Sequence, residues 1–261
     1  MASDKRIGLI GFGAIGQEII ATARRLGEAD AICAVLVRPG REVAGVPCVH
    51  DVAGLLAASP DVVLECAGHG AVSAFGVQIL AAGVDLVVSS VGALTESDLA
   101  RRLLAAEQAG GGRLLIPAGA VAGLDGLVAA SLAGLSAVTY DSHKPPHAWR
   151  GTPAEQAVDL DDPAEEQVFF EGSAREAAAT YPKNANVAAT LALACRAENK
   201  MIIRIFTSPK YKTNSHEVEV TGTFGRIVTR TDNMICPDNP KTSYLAVLSG
   251  IQTLKQFYSG V

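Results

Sequence analysis

A Gly-x-Gly-x-x-Gly turn at residues 11–16 constrains this chain more than any other stretch. Ile7-Gly8-Leu9-Ile10 runs into it. An amphipathic segment runs out of it, with Ile15, Ile19, Ala23 and Leu26 at helical spacing and Gly27 as a stop. A glycine pattern set between a strand and a helix is the fingerprint of a dinucleotide-binding βαβ unit. Gly11 permits the tight turn, Gly13 lets backbone amides approach a pyrophosphate, and Gly16 lets the helix pack close to the strand. The pyrophosphate would sit at the positive end of that helix, so Gly11, Gly13, Ala14 and Ile15 are the candidate cofactor contacts. A glycine turn in some other parallel α/β protein is the plainer alternative.

The residues that follow keep to one alternation. Ala31–Val37, Val62–Cys66, Leu86–Ser89 and Leu114–Pro117 read as buried parallel strands, continuous in Val, Ile and Leu. Between them, helices are expected over 52–58 with Asp51 as cap, over 71–82 closed by Gly83, and from a capping-box-like Thr95/Asp98 to about Ala109. Repeated strand–helix units with short connections make a doubly wound parallel sheet, whose ligands lie beyond the strand carboxyl ends. At the end of the second strand an NAD-specific site usually holds Asp or Glu for the ribose 2′-hydroxyl. Here that position holds Arg38, which suits adenine stacking or a 2′-phosphate and points to NADP or dual use; a solvated arginine is the alternative.

Composition narrows the function classes. A chain of 261 residues, 49% hydrophobic and poor in aromatics, suits small-residue helices on an aliphatic sheet, in one large domain or two modest ones. The net charge of −5 argues against nucleic acid or an anionic membrane as partner. Cys33, Cys48, Cys66, Cys195 and Cys236 are scattered with no metal spacing, as expected for reduced cysteines in a cytoplasmic protein. No signal peptide, no uninterrupted apolar span of membrane length, no metal constellation and no Walker or Gly-x-Ser-x-Gly motif is legible.

The pattern changes near Val121. A strand at 137–140, a helix at 186–194 and three β-like runs at 201–207, 216–221 and 225–231 imply a second domain on its own sheet. The expected division is a dinucleotide-binding domain over 1–121, a catalytic and dimerisation domain over 122–237, and a final helix within 238–261 that packs back on the first. In Asn214-Ser215-His216-Glu217-Val218-Glu219-Val220, strand alternation puts His216 on the side of the valines, away from the glutamates. An inward histidine at the mouth of a polar loop suits acid–base chemistry, and a hydrogen-bonded core histidine fits equally well. Lys144, Lys183 and Lys212 are candidates to meet substrate carboxylates, and His143 and His147 to line a cleft or stay in a loop.

These residues resemble the L-aspartate dehydrogenase family. The resemblance is carried by the glycine turn, Glu65-Cys66-Ala67-Gly68-His69, Gly119–Leu127, Pro182–Ala189, Asn214-Ser215-His216-Glu217 and Pro237–Ser243, in this order and over nearly the whole chain. It implies a homodimer with a Rossmann-type domain and a second α/β catalytic domain, using NAD or NADP. It implies oxidation of L-aspartate to iminoaspartate, hydrolysed to oxaloacetate and ammonia or used for NAD biosynthesis. It assigns His216 as the active-site histidine and Ala120 and Asn186 as contacts of the nicotinamide nucleotide. A related two-domain reductase acting on homoserine or dihydrodipicolinate, and a non-catalytic NAD(P) sensor, are the competing expectations.

Overall fold

The computed structural model describes residues 5–161, 165–182, 185–197, 200–236 and 239–259. The chain divides into two compact units, residues 1–117 with 247–261, and residues 118–246.

The first unit is built on a six-stranded parallel sheet. Its elements are β1 (Ile7–Ile10), α1 (Ala14–Leu26), β2 (Ile32–Leu36), β3 (Cys48–Val49), α2 (Val52–Ala57), β4 (Val62–Glu65), α3 (His69–Ala81), β5 (Asp85–Val88), α4 (Ser97–Gly110) and β6 (Leu114–Leu115). The strand order is β3-β2-β1-β4-β5-β6, so the direction of winding reverses between β1 and β4. β1 and β4 are buried along their whole length, which is why both read as unbroken apolar runs. The α1 helix stops at Gly27, whose φ of 71° is a left-handed cap.

The start of α4 differs from expectation. Thr95 does not cap α4; it ends a 3-10 turn over Val91–Thr95, and its hydroxyl donates to the Gly92 carbonyl. Glu96 is the cap, its carboxylate accepting from the Asp98 and Leu99 amides, because an acidic side chain at that position satisfies two orphan donors at once.

The second unit contains α5 (Leu124–Ser131), β7 (Leu135–Lys144), α6 (Ala154–Ala157), β8 (Gln167–Gly172), α7 (Ala174–Thr180), α8 (Asn186–Cys195), β9 (Met201–Thr207), β10 (Asn214–Gly222), β11 (Gly225–Asn233), β12 (Ile235–Cys236) and β13 (Asn239–Ser243). The last helix, α9 (Tyr244–Ser259), begins here, and its residues from Val247 belong to the first unit. The main sheet runs β11-β10-β7-β9-β8, with β7 and β9 parallel and the other neighbours antiparallel. Helices α5, α7 and α8 pack their small residues on one face, over Val138, Tyr140, Ile203, Ile205, Val218 and Val220. β7 is much longer than the strand expected at 137–140, since it takes in Ser142, His143 and Lys144. Polar residues at the end of a strand that carries a buried site break the apolar alternation by which strands are read.

Candidate active site

At the carboxyl edge of the first sheet, each glycine of the turn meets a physical need. Gly11 has φ +99°, and a Cβ there would lie 2.8 Å from Ala67 Cβ; a Cβ on Gly16 would lie 2.4 Å from the Gly11 carbonyl oxygen. A Cβ on Gly13 would face open space, and Gly13 opens α1 without a side-chain cap. A helix start with its amides uncapped and room before it fits a pyrophosphate. This edge lies beside the reversal between β1 and β4, where doubly wound sheets hold their ligands.

Glu65 ends β4 and is fully buried. Its Oε1 accepts from the Ala67 amide at 2.7 Å, the Gly68 amide at 2.8 Å and the Ser90 hydroxyl at 3.0 Å, and its Oε2 accepts from the Ser90 amide at 3.1 Å. One carboxyl therefore ties the turn after β4 to the turn after β5. Burial pushes this carboxyl up from its ordinary range, and the donors around it push back. The sequence marked Glu65 as the first residue of a stretch shared with the family and as an acid closing the apolar run Val-Val-Leu-Glu, and neither signal gave it this role.

Arg38 is exposed beyond the end of β2. Arg41 stands close by, donating from Nη2 to the Phe12 carbonyl at 2.9 Å, with its guanidinium 5.4 Å from the centre of the Phe12 ring. It also borders an open cleft of about 440 Å³ lined by Gly40, Val43, Val46 and His50 among others. Arg41 escaped sequence reasoning because it lies three residues past the strand end where that reasoning looks.

In the second unit, strand register gathers a polar cluster at one end of the core-facing side of the sheet. His216 pairs with Ser142 on β7 and Thr231 on β11; Lys144 pairs with Thr207 on β9; Asn214 pairs with Asn233. All of these except Thr231 are buried, His216 at 3% and Lys144 at 4% exposure. The Tyr140 hydroxyl lies 2.8 Å from His216 Nδ1, and Ser243 Oγ lies 3.5 Å from Nε2. Burial, then the Lys144 ammonium, then His143, push the imidazole down to about 3, so it is neutral at physiological pH. Thr207 Oγ1 and Asn214 Oδ1 are buried with no hydrogen-bond partner among the described residues. Buried polar atoms left unpaired are costly and point to something they are meant to meet.

The other candidates are dispersed. His143 lies on the opposite side of the same sheet, stacked 4.5 Å from Phe206 and 2.9 Å from the Tyr211 hydroxyl, in a strand and not in a loop. His147 sits in a 3-10 turn, Lys212 is exposed, and Lys183 lies outside the described residues. The Ala120 carbonyl accepts from Thr231 Oγ1 at 2.7 Å and Asn233 Nδ2 at 3.0 Å, and Asn186 is the first residue of α8. Among the described residues no group of His, Cys, Asp and Glu is arranged to hold a metal, and no helix is long and apolar enough to cross a membrane.

Two family profiles divide the chain between them. Residues 11–117 match the NAD-binding domain of homoserine dehydrogenase, and residues 125–257 match the C-terminal part of aspartate dehydrogenase. The L-aspartate dehydrogenase of Serratia proteamaculans is 40% identical over 98% of both chains. The chain belongs to the L-aspartate dehydrogenase family. The L-aspartate dehydrogenase of Methanosarcina mazei is 38% identical, again over 98% of both chains. The crystal structure of aspartate dehydrogenase from Thermotoga maritima superposes with a TM-score of 0.79 at 26% identity, covering 98% of each chain. A dihydrodipicolinate reductase from Paenisporosarcina, at 16% identity and a TM-score of 0.55, shares the fold. Membership in the aspartate dehydrogenase family accounts for both halves of the fold, a Rossmann-type sheet and a second α/β domain.

Proposed function

We propose that this protein oxidises L-aspartate with NAD or NADP, giving iminoaspartate that is hydrolysed to oxaloacetate and ammonia or passed on to NAD biosynthesis. The observation that carries the reading is the buried, neutral His216 in a polar cluster that also holds an ammonium. The uncapped α1 start and Gly13 suit the pyrophosphate, with Gly11, Ala14 and Ile15 around it; Arg38 is assigned to the adenosine side, and the family resemblance assigns Ala120 and Asn186 to the nicotinamide nucleotide. The cofactor supplies hydride acceptance; the protein supplies binding, orientation and proton handling.

The substrate would be held with its amine neutral, so that the nitrogen lone pair can assist loss of hydride from Cα. Water then adds to the imine carbon and ammonia departs. His216 takes a proton from the amine or the attacking water and returns one to the leaving nitrogen. As base it needs its hydrogen on Nδ1, donated to Tyr140, so that Nε2 is the working nitrogen. A substrate carboxylate arriving beside Lys144 offsets the ammonium's field and raises the proton affinity of the imidazole.

The first unit, with the C-terminal helix, is assigned to dinucleotide binding, and the second to catalysis and dimerisation. The sheet face opposite His216 exposes Ile202, Val168 and Val228, each 44–51% accessible, among paired charges, which suits a homodimer interface. Light scattering that gives a monomer mass would refute the dimer. The cell compartment assigned is the cytoplasm, consistent with five cysteines that form no disulfide among the described residues.

The test of the activity is reduction of NAD⁺ and of NADP⁺ with L-aspartate against L-homoserine at alkaline pH. Turnover of aspartate is expected, and turnover of homoserine alone would reverse the assignment. Cofactor binding without turnover of either would favour a sensor. His216→Asn is expected to keep cofactor affinity and lose about 10²-fold or more in kcat, the scale of general acid–base groups. Near-normal kcat would remove His216 from the chemistry.

A further inference from the structure

The polar cluster has a direction. His216 and Ser142 form one rung of the sheet, and Lys144 and Thr207 form the next rung toward the strand ends on the same side. Lys144 is buried, with its ammonium 5.3 Å from the centre of the Trp149 ring. Beside it on β9, Thr207 is fully buried with an unpartnered hydroxyl, and Asn214 on β10 turns an unpartnered carbonyl oxygen into the same end of the sheet. Rungs two residues apart along a strand are separated by roughly 7 Å. One carbon–carbon bond is shorter than that separation, and the long stem of Lys144 can span the rest, so the end of a substrate that points away from His216 toward the strand ends meets the ammonium.

We propose that Lys144 and Thr207 form the subsite for the distal, β-carboxylate of the substrate, and so set the choice of a four-carbon dicarboxylate over a monocarboxylic amino acid. The inference rests on His216 acting at the Cα end. On residues paired across the sheet, an ammonium and a hydroxyl supply a point charge and a directed donor, which together suit one carboxylate. The surrounding burial makes that charge strong against an anion and unfavourable toward an apolar side chain. The alternative, in which Lys144 holds the α-carboxylate shared by all amino acids, predicts a different pattern of loss.

The experiment uses the full-length enzyme at saturating cofactor, with Lys144→Met and Thr207→Val. Met keeps an apolar stem against Trp149, and Val keeps the shape of Thr. Initial rates are measured with L-aspartate and with L-2-aminobutyrate, in which a methyl replaces the β-carboxylate. Inhibition constants are measured for succinate and for butyrate. Lys144→Met is expected to raise KM for aspartate and Ki for succinate by about 10²-fold, the scale for removing one partner of a buried charge pair. It should leave butyrate inhibition, and any 2-aminobutyrate rate, within threefold. Thr207→Val should shift the same constants in the same direction by about tenfold, the scale of one lost hydrogen bond to a charged group.

Equal losses for the dicarboxylate and monocarboxylate probes would overturn the proposal in favour of the α-carboxylate. Unchanged constants for aspartate and succinate would remove Lys144 from recognition. His216→Asn assayed in parallel reports on acid–base chemistry through kcat, so failure of either reading is visible separately. Should Lys144→Met not fold, Thr207→Val and Lys144→Arg decide: a selective weakening of succinate by the former, with retention by the latter, upholds the subsite, and its absence refutes it.

Discussion

Replacing Glu65 with Gln changes one oxygen to an NH₂ group in a site where every neighbour is a donor. The best rotamer keeps Oε1 facing the Ala67 and Gly68 amides and the Ser90 hydroxyl, and sets the new NH₂ against the Ser90 N–H, 3.1 Å from the old Oε2. One buried backbone donor is then orphaned, which costs about 1–3 kcal/mol. Glu65→Leu leaves the Ala67, Gly68 and Ser90 amides all without that acceptor, so it should cost clearly more than Gln. Because Ala67 abuts Gly11, loosening its anchor also disturbs the lip of the cofactor cleft. Urea unfolding followed by far-UV circular dichroism measures the stability term, and NADH or NADPH fluorescence titration measures the cleft. The expected order is wild type, then Gln, then Leu, with cofactor affinity falling in the same order. A Gln variant within ~0.5 kcal/mol of wild type, the range of a neutral surface change, would refute the reasoning, since the carboxyl would then not be acting as an all-acceptor clasp.

Other outcomes follow from the same geometry. The folded protein keeps His216 neutral down to about pH 3, whereas the unfolded chain protonates it near 6.5. Stability from this group is therefore present above pH 6.5 and lost as pH falls toward 3, at most about 1.4 kcal/mol per pH unit. His216→Asn should flatten that acid limb in urea midpoints measured from pH 7 to 4, and an unchanged limb would show that His216 is not the group responsible. Arg38→Ala and Arg41→Ala should each raise KM for NADP⁺ by about tenfold, or about 1.4 kcal/mol, and leave KM for NAD⁺ nearly unchanged. Parallel increases for both cofactors would mean that the arginines serve adenine or the loop and not a 2′-phosphate.

Much of the first unit was legible because parallel strands buried on both faces are written as apolar runs, and glycines mark their turns. Ile7–Ile10 and Val62–Glu65 are such runs, and Gly11 and Gly16 mark a turn in which a Cβ at either position would clash. The strands Met201–Thr207 and Gly225–Asn233 were visible for a similar reason, their alternation or their β-branched content. Less was visible where one residue serves a site. Ser142-His143-Lys144 reads as loop text, yet it forms the end of β7. The strand β8 and the helix α7, with its Ser173–Glu176 capping box, lie in a stretch whose acidic lead-in hid the change of period.

The sequence by itself determined a doubly wound sheet with a dinucleotide turn, and an inward histidine far along the chain. Both are local facts: φ freedom at glycine, and alternation along a strand. Only the tertiary structure decided which distant side chains share a rung. Register between β7, β9 and β10 brings Ser142, Lys144 and Thr207 beside His216 and sends His143, one residue from each of the first two, to the opposite side. In the same way, the pairing of β4 with β5 lets the carboxyl of Glu65 reach the amide and hydroxyl of Ser90. Strand register couples residues dozens of positions apart with a period of two, and no pattern within one segment can encode its offset from another.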